Sequence, residues 1–460
     1  MAISEKNFKK LKQIVGADNI TKTYEELFCY SYDASTCGYL PDAVVFPKTV
    51  KEVSEIVLLA NCDKFFLIPR GAGSGMTGGS IATLGGVVVA MNRFNRIIEI
   101  DKNNFIAIVE PGVITNHLHQ AVEKEGLFYP PDPASSTFST IGGNLAECAG
   151  GPRAVKYGVT RDYVLGLEVV LPTGEIINTG VKTAKGVVGY DLTRLIVGSE
   201  GTLGIITKAI LKLIPLPEAA MTMMVVFDEM ETAAHAVSQI LRRGYIPKTI
   251  EYMDNASIRC VEDYLKIGLP IEASALLLIE VDGKKDELTK LIEPLKILCE
   301  QLGAKETKIA KTKEETESLW KARKAVSPAL FRYAPDKINE DIVVPKDKIP
   351  DMVHKIKELS SKTGLLMATF GHAGDGNIHC NIMLDKKDKE QVEKAKYALD
   401  EIFNYTLKLG GTISGEHGVG ITKRDYISKE IGRDELNLMK RIKSLFDPKG
   451  ILNPGKIFPV

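Results

Sequence analysis

The 460-residue chain has no excess charge of either sign: Lys and Arg together number 59, and so do Asp and Glu. Nucleic acid and anionic membrane surfaces both select for a basic excess, so neither is expected as the main partner. No continuous apolar run approaches 18 residues, and no transmembrane segment is expected. Cysteine is sparse and ungrouped. The seven thiols (Cys29, Cys37, Cys62, Cys148, Cys260, Cys299 and Cys380) include no C-x-x-C pair. That spacing predicts reduced thiols in a cytoplasmic protein. It also predicts no iron–sulfur cluster on this chain, because such clusters want grouped thiolates; if electrons leave through one, a partner holds it. The opening stretch MAISEKNFKKLKQIVG is charged and amphipathic, without the apolar centre of a signal peptide. Repeats and low-complexity tracts are absent.

What remains is an ordinary globular balance, 44% hydrophobic and 26% charged, long enough for two or three domains. Residues 1–217 are glycine-rich, with short β-branched runs such as Val87-Val88-Val89 and Ile106-Ala107-Ile108-Val109 punctuated by turn formers. Helical patterns intervene at Thr49 to Ala60 and Thr115 to Glu125. Pro215-Leu216-Pro217 reads as a boundary. Beyond it come helical patterns at Met230 to Arg243, Lys285 to Leu302 and Thr312 to Phe331, with strands at Ala275 to Val281, Glu340 to Val344 and Leu365 to Phe370. Later helices are expected from Val392 to Leu409, stopped by Gly410-Gly411, and from Asp434 to Phe446.

Gly73-Ser74-Gly75-Met76-Thr77-Gly78 is a formal G-x-G-x-x-G after the apolar run Phe65 to Ile68. A dinucleotide fingerprint must open a helix whose N-terminus meets the pyrophosphate. Here the next residues, Gly79 to Gly86, contain three glycines in eight, each costing roughly 1 kcal/mol against alanine in a helix. The NAD reading therefore fails on context. The loop is either a plain turn or an anion-binding nest of inward N–H groups. Two further glycine blocks, from Pro130 to Gly158 and from Gly198 to Ile206, exceed what turns require and suit an extended ligand lying against backbone.

Three of the seven histidines fall in two short segments, Gly371 to His379 and Gly415 to Gly420. His372 and His379 are seven apart, which in a straight strand puts them on opposite faces. The Ala373-Gly374-Asp375-Gly376 insert can bend the chain so that the rings meet, with Asp375 as a turn residue. Two His and Glu416 make a ligand set for Zn²⁺, Fe²⁺ or Mn²⁺ with positions left open for substrate; the alternative is hydrogen-bonded loop histidines. Arg323 and Ser327 are i, i+4 and share a helix face. Arg323 is either a bidentate clamp for a carboxylate or, beside Lys321 and Lys324, part of a solvated basic helix.

Taken together, these blocks resemble the PCMH-type FAD-binding flavoproteins of the vanillyl-alcohol-oxidase superfamily. The branch is that of glycolate oxidase, D-lactate dehydrogenase and D-2-hydroxyglutarate dehydrogenase. The resemblance covers nearly the whole chain, including Asp447-Pro448-Lys449-Gly450-Ile451-Leu452-Asn453-Pro454-Gly455-Lys456. It implies an α+β fold: a PCMH-type FAD-binding domain of two α/β subdomains over 1–217, an α+β cap with an antiparallel sheet over 218–420, and a C-terminal segment, 421–460, packing back on the FAD domain.

By the same resemblance, Arg70, Gly71, Ala72, Gly73, Ser74, Gly75, Thr140, Gly142, Gly143 and Asn144 meet the pyrophosphate of FAD. Pro131, Asp132, Ser136, Gly150, Tyr157, Gly158, Glu200, Gly201 and Ile206 line the rest, with Asn453 near the ring. No histidine lies in residues 70–80, where some relatives attach flavin, so FAD is expected to be non-covalent. The resemblance also implies that His372, His379 and Glu416 bind the divalent metal, that His417 is the base, and that Asn381 and Arg323 hold the substrate.

The implied reaction is oxidation of a small 2-hydroxy acid, with hydride passing to flavin N5. The electron acceptor is a partner: an electron-transferring flavoprotein, an iron–sulfur protein or a quinone. A dicarboxylate would need a second cation. Dicarboxylate relatives place a lysine where this chain aligns Asn339, with Lys337 offset, and that departure favours D-lactate or glycolate over D-2-hydroxyglutarate. A metal-dependent hydrolase sharing the His/Glu set predicts a colourless protein instead, and a non-catalytic flavin carrier predicts no bleaching by hydroxy acid. The chain is compatible with an oligomer.

Overall fold

The computed structural model describes residues 3–35 and 37–459. The chain divides into two compact units. The first holds the residues up to Gly150, Val159–Leu216 and everything from Glu416 onward; the second holds Gly151–Gly158 and Pro217–Gly415. Compared with sequence breaks at 217 and 420, the short segment 151–158 falls with the second unit and residues 416–420 with the first.

Among the described residues the first unit contains two larger sheets and a two-stranded pair, Leu127–Phe128 with Ile214–Pro215. In one of the larger sheets, Ile20–Thr21, Ala43–Val45, Val87–Ala90 and Leu67–Arg70 lie side by side in that order, the last three parallel. These short runs are almost continuously apolar and almost wholly buried, as parallel strands covered on both faces must be. The helix Val50–Asp63 packs on them through Val53, Ile56, Val57 and Ala60. Thr49 starts it, the hydroxyl accepting the Glu52 N–H at 3.2 Å.

The second sheet of this unit is antiparallel: Ile97–Asp101, Ile106–Val109, Ile205–Lys212, Val164–Val170 and Ile176–Gly180. The C-terminal segment hooks alongside the first sheet. Leu67 donates its N–H to Ile451 O at 2.9 Å, and Asn453 donates to Leu67 O at 2.8 Å. Lys443 braces the hook by donating to Asp447, Leu452 O and Thr202 O.

The second unit is built on one seven-stranded antiparallel sheet. Its order is Glu306–Ile309, Ala219–Phe227, Ala275–Gly283, Thr249–Asp254, Met367–His372, Asn377–Leu384, Asp336–Val343. Helix Lys313–Ala329 buries Ala322, Ala325, Val326 and Ala329 in a core shared with Met253, Ala368, Phe370 and Met383. Helix Lys389–Lys408 ends before Gly410, whose φ of +80° is the left-handed stop expected there. Among the described residues no helix is long and apolar enough to cross a membrane.

Candidate functional site

A glycine-walled cavity of about 220 Å³ lies in the first unit. Its walls come from the loop after strand Leu67–Arg70 (Gly71, Ala72, Gly73, Ser74, Gly75), the first turn of helix Ile141–Glu147 (Gly142, Gly143, Asn144), Gly150, Glu200, Gly201 and Ile206. No helix follows the G-x-G-x-x-G: strand Val87–Ala90 comes next, as the glycine content requires. The glycines are there for room. A Cβ on Gly142 would sit 2.6 Å from Pro111 Cβ, and one on Gly71 would sit 2.2 Å from Thr140 Oγ1. Glycine at these two positions lets the cavity walls pack against Pro111 and Thr140 more closely than any side chain would allow.

Several expected cofactor residues act as supports. Arg70 donates to Tyr32 O at 2.7 Å and to Ser80 O at 3.3 Å, so its guanidinium braces the glycine loop from beneath. Asn144 turns its amide to Thr115 Oγ1 at 2.7 Å. Thr140 caps the helix by accepting the Gly143 N–H, and it lines an adjoining cavity with Asn92, Asn95 and His117. Asn453 has a left-handed φ of +44° and donates to both Gly79 O and Glu200 O, tying two walls together. Pro131, Asp132 and Ser136 are not on the cavity surface; the intervening Pro133, Ala134 and Ser135 are. Tyr157 and Gly158 lie in the second unit, where the Tyr157 hydroxyl donates to Asp282 at 2.7 Å.

Glu416 and His417 also line the cavity. Their loop is fixed from two sides. Thr77 donates its hydroxyl to His417 O at 3.1 Å. Glu200 accepts the N–H groups of Val419 and Gly420, both at 2.7 Å. Burial pushes the Glu200 carboxyl above the ordinary range, against the pull of those two donors and of Lys456 and Lys423. His417 Nε2 lies 3.9 Å from Glu416 Oε1. Sequence reasoning passed over Glu147. Its carboxylate sits against both the first glycine loop and the loop of Glu416 and His417: a Cβ on Gly79 would meet Oε1 at 2.8 Å, and one on Gly418 would meet Oε2 at 2.3 Å.

The histidines of the second unit meet across a hairpin. Met367–His372 and Asn377–Leu384 pair antiparallel, with His372 opposite Asn377 and Phe370 opposite His379. The turn 373–376 closes with Asp375 and Gly376 donating to His372 O, and Asp375 takes the Asn377 N–H. The odd spacing is thereby cancelled, because directly opposed residues share a face. The two rings stand at 89° with centroids 5.2 Å apart and their Nε2 atoms 3.4 Å apart.

Register carries this face across neighbouring strands. Glu251 opposes His372, Asn381 opposes Asn339, and Lys337 opposes Met383. Lys337 and Asn339 are two apart and thus share the face of Asn381 and His379. Asn381 is fully buried, and neither end of its amide has a hydrogen-bond partner.

Arg323 is not on a solvated helix face. Its Nη2 lies 2.6 Å from Glu251 Oε2, and its Cζ lies 4.7 Å from the Phe370 ring centroid; Nε has no partner. Glu251 Oε1 lies 2.6 Å from His372 Nδ1. Burial alone would raise the Glu251 pKa, but His372 and Arg323 outweigh it and hold the carboxyl below its usual value. Nothing in the sequence singled out Glu251, one acid within a short strand. On the same helix, Ser327 accepts from the Lys337 ammonium, and burial lowers the Lys337 pKa to about 8. Glu416 follows directly on Gly415, whose N–H donates to Asp341 Oδ2 at 2.9 Å.

Comparison with known proteins agrees with these features. Residues 41–180 match the FAD binding domain profile, and residues 216–457 match that of the FAD linked oxidases, C-terminal domain. The chain belongs to the FAD-linked oxidase family. Across 98% of its length it is 46% identical to glycolate oxidase subunit GlcD of Bacillus subtilis, covering 96% of that protein. It is 37% identical to D-lactate dehydrogenase of Anaerostipes hadrus, over 98% of this chain and 96% of that one.

Among solved structures, p-cresol methylhydroxylase with substrate bound superposes with a TM-score of 0.81 at 18% identity, covering 99% of this chain and 97% of that chain. The 4-ethylphenol oxidase of Gulosibacter chungangensis gives 0.78 at 20%, over 99% and 98%. Those two likenesses speak to fold: the α+β architecture with a PCMH-type FAD-binding domain. The chain is an FAD-linked oxidoreductase of the glycolate oxidase and D-lactate dehydrogenase group.

Proposed function

We propose that this oxidoreductase removes two electrons from a small D-2-hydroxy acid, with D-lactate giving pyruvate. The observation that carries the reading is the pair of buried imidazoles, His372 and His379, with Nε2 atoms 3.4 Å apart. Imidazole nitrogen is a common ligand for borderline divalent ions, and the facing pair fits such an ion. Glu416, one peptide bond beyond the anchored Gly415, supplies the carboxylate of the set. The donors suit zinc, iron or manganese.

When bound, FAD is the hydride acceptor and the divalent ion a Lewis acid that acidifies the substrate hydroxyl. The chain's own residues position the substrate and move its proton. The Asn381 amide and the Arg323 guanidinium bind the carboxylate of the hydroxy acid; the unpartnered amide of Asn381 and the unpartnered Nε of Arg323 support this. His417 takes the hydroxyl proton as general base. The glycine walls hold FAD without a covalent link, no histidine lying in residues 70–80. Electrons then pass to a protein partner, an electron-transferring flavoprotein or an iron–sulfur protein, since this chain groups no thiolates of its own.

A second reading, glycolate oxidation within a multi-subunit complex, is favoured by the 46% identity to a glycolate oxidase component. D-2-Hydroxyglutarate stays within the test because Lys337 lies on the Asn381 face. The deciding variant is His417→Ala, which keeps the yellow flavin spectrum and loses anaerobic reduction by hydroxy acid. Unchanged bleaching in that variant removes His417 from the reaction.

A further inference from the structure

We infer that Glu251 is the positioning residue of the metal site: a buried carboxylate, clamped by Arg323, that sets the His372 ring with Nε2 as its ligand nitrogen. This inference rests on the metal reading above. Glu251 and His372 are opposed residues on adjacent antiparallel strands, so the backbone sets their approach before any side-chain contact forms. The Glu251 side chain is 2% exposed and contacts two groups, His372 Nδ1 and Arg323 Nη2, each at 2.6 Å.

An ionised carboxylate can only accept, so Nδ1 of His372 carries the hydrogen. In the neutral ring Nε2 then bears the lone pair, and Nε2 is the atom 3.4 Å from His379 Nε2. With Nδ1 committed to Glu251, Nε2 is the nitrogen left to a cation, and the carboxylate behind the ring makes Nε2 a stronger ligand when one binds. Arg323 supports both imidazoles. It holds Glu251 directly, and its guanidinium lies over Phe370, whose ring centroid is 5.4 Å from that of His379. Arg323 therefore acts on the metal ligands as well as on substrate, and its Nη2 already serves a carboxylate of the protein.

The test uses the full-length, FAD-loaded protein and Zn²⁺ as probe, in competition with a chelating dye. Glu251→Gln is isosteric and removes the charge. Its Zn²⁺ affinity is expected to fall about 10–100-fold, the range for loss of such an outer partner, at unchanged FAD content. Glu251→Asp keeps the carboxylate and recovers part of the loss. If Glu251→Gln fails to fold, Arg323→Gln carries the test. It weakens Zn²⁺ if the arginine clamps the ligand set, and leaves Zn²⁺ affinity at the wild-type value if the arginine serves substrate alone. Wild-type affinity in a folded Glu251→Gln protein, or in Arg323→Gln where that variant decides, overturns the inference. A wild-type protein that binds no divalent ion at all removes the metal reading first, so the two failures are distinct.

Discussion

Glu200 accepts the backbone N–H of Gly420 at 2.7 Å, and so ties the third glycine block to the loop that carries Glu416 and His417. The pair is 220 residues apart in sequence and both members are buried. Glu200→Ala should leave the N–H groups of Val419 and Gly420 without a buried acceptor, a cost of roughly 1–3 kcal/mol per group. The expected outcome is a lower unfolding midpoint together with slower flavin reduction. A variant as stable as wild type contradicts the bracing role.

Gly420 itself admits no side chain. It has φ +50°, and a Cβ there would lie 2.1 Å from Thr77 O, the acceptor of the Ile421 N–H. Gly420→Ala is expected to lose roughly 1–3 kcal/mol from the backbone conformation alone, more with the clash, measured by denaturant unfolding. Gly432→Ala, with open space around the added methyl, is the matched control and should unfold near wild type.

Asn381 sets stability against function. A buried amide with no partner is a burden on the fold. Asn381→Leu should therefore raise unfolding free energy by about 1–2 kcal/mol while raising KM for the hydroxy acid. If KM is unchanged, Asn381 does not contact substrate.

Lys337 gives a pH signature. Its amine is held near 8 by burial, against 10.5 for an ordinary lysine. Between those values the unfolded chain carries the extra proton, so the Lys337 contribution makes stability rise with pH from 8 to 10.5, and its penalty is fully present below 8. Lys337→Met should stabilise the protein at pH 7 by about 1–2 kcal/mol and lose that advantage by pH 10.5. A gain independent of pH would place the effect in packing instead.

His379→Ala is expected to lose the divalent ion by elemental analysis while keeping FAD, because His379 lies in the second unit and the glycine walls in the first. Full metal retention breaks the ligand assignment.

The sequence disclosed the parts whose chemistry is local. Glycine density told against a helix after Gly78, and the fold has none there. Gly410 stopped its helix, and the two-histidine segment bent at Ala373 to Gly376 as its composition required. What stayed hidden depends on register. The Glu251 partnership exists only because one strand lies beside another, and no spacing in the sequence reports that neighbour. Arg323 is a candidate carboxylate clamp from its residue type, with a solvated basic helix as the alternative, but its partner Glu251 is not legible in the sequence. Tyr157 donates to Asp282 and the Asn144 amide to Thr115, contacts that no sequence spacing reports, while Asn144 also lines the glycine-walled cavity. Strands Thr249–Asp254 and Asn377–Leu384 were not anticipated. Both are buried on every residue, so the alternation that marks a half-exposed strand is missing.

The most direct measurement is anaerobic stopped-flow absorbance of the purified, FAD- and metal-loaded protein mixed in turn with D-lactate, L-lactate, glycolate and D-2-hydroxyglutarate. The account predicts that the flavin band bleaches fastest with D-lactate, that L-lactate leaves it yellow, and that prior chelation of the divalent ion abolishes bleaching. A flavin that stays oxidised with all four acids, or that bleaches equally after chelation, contradicts it.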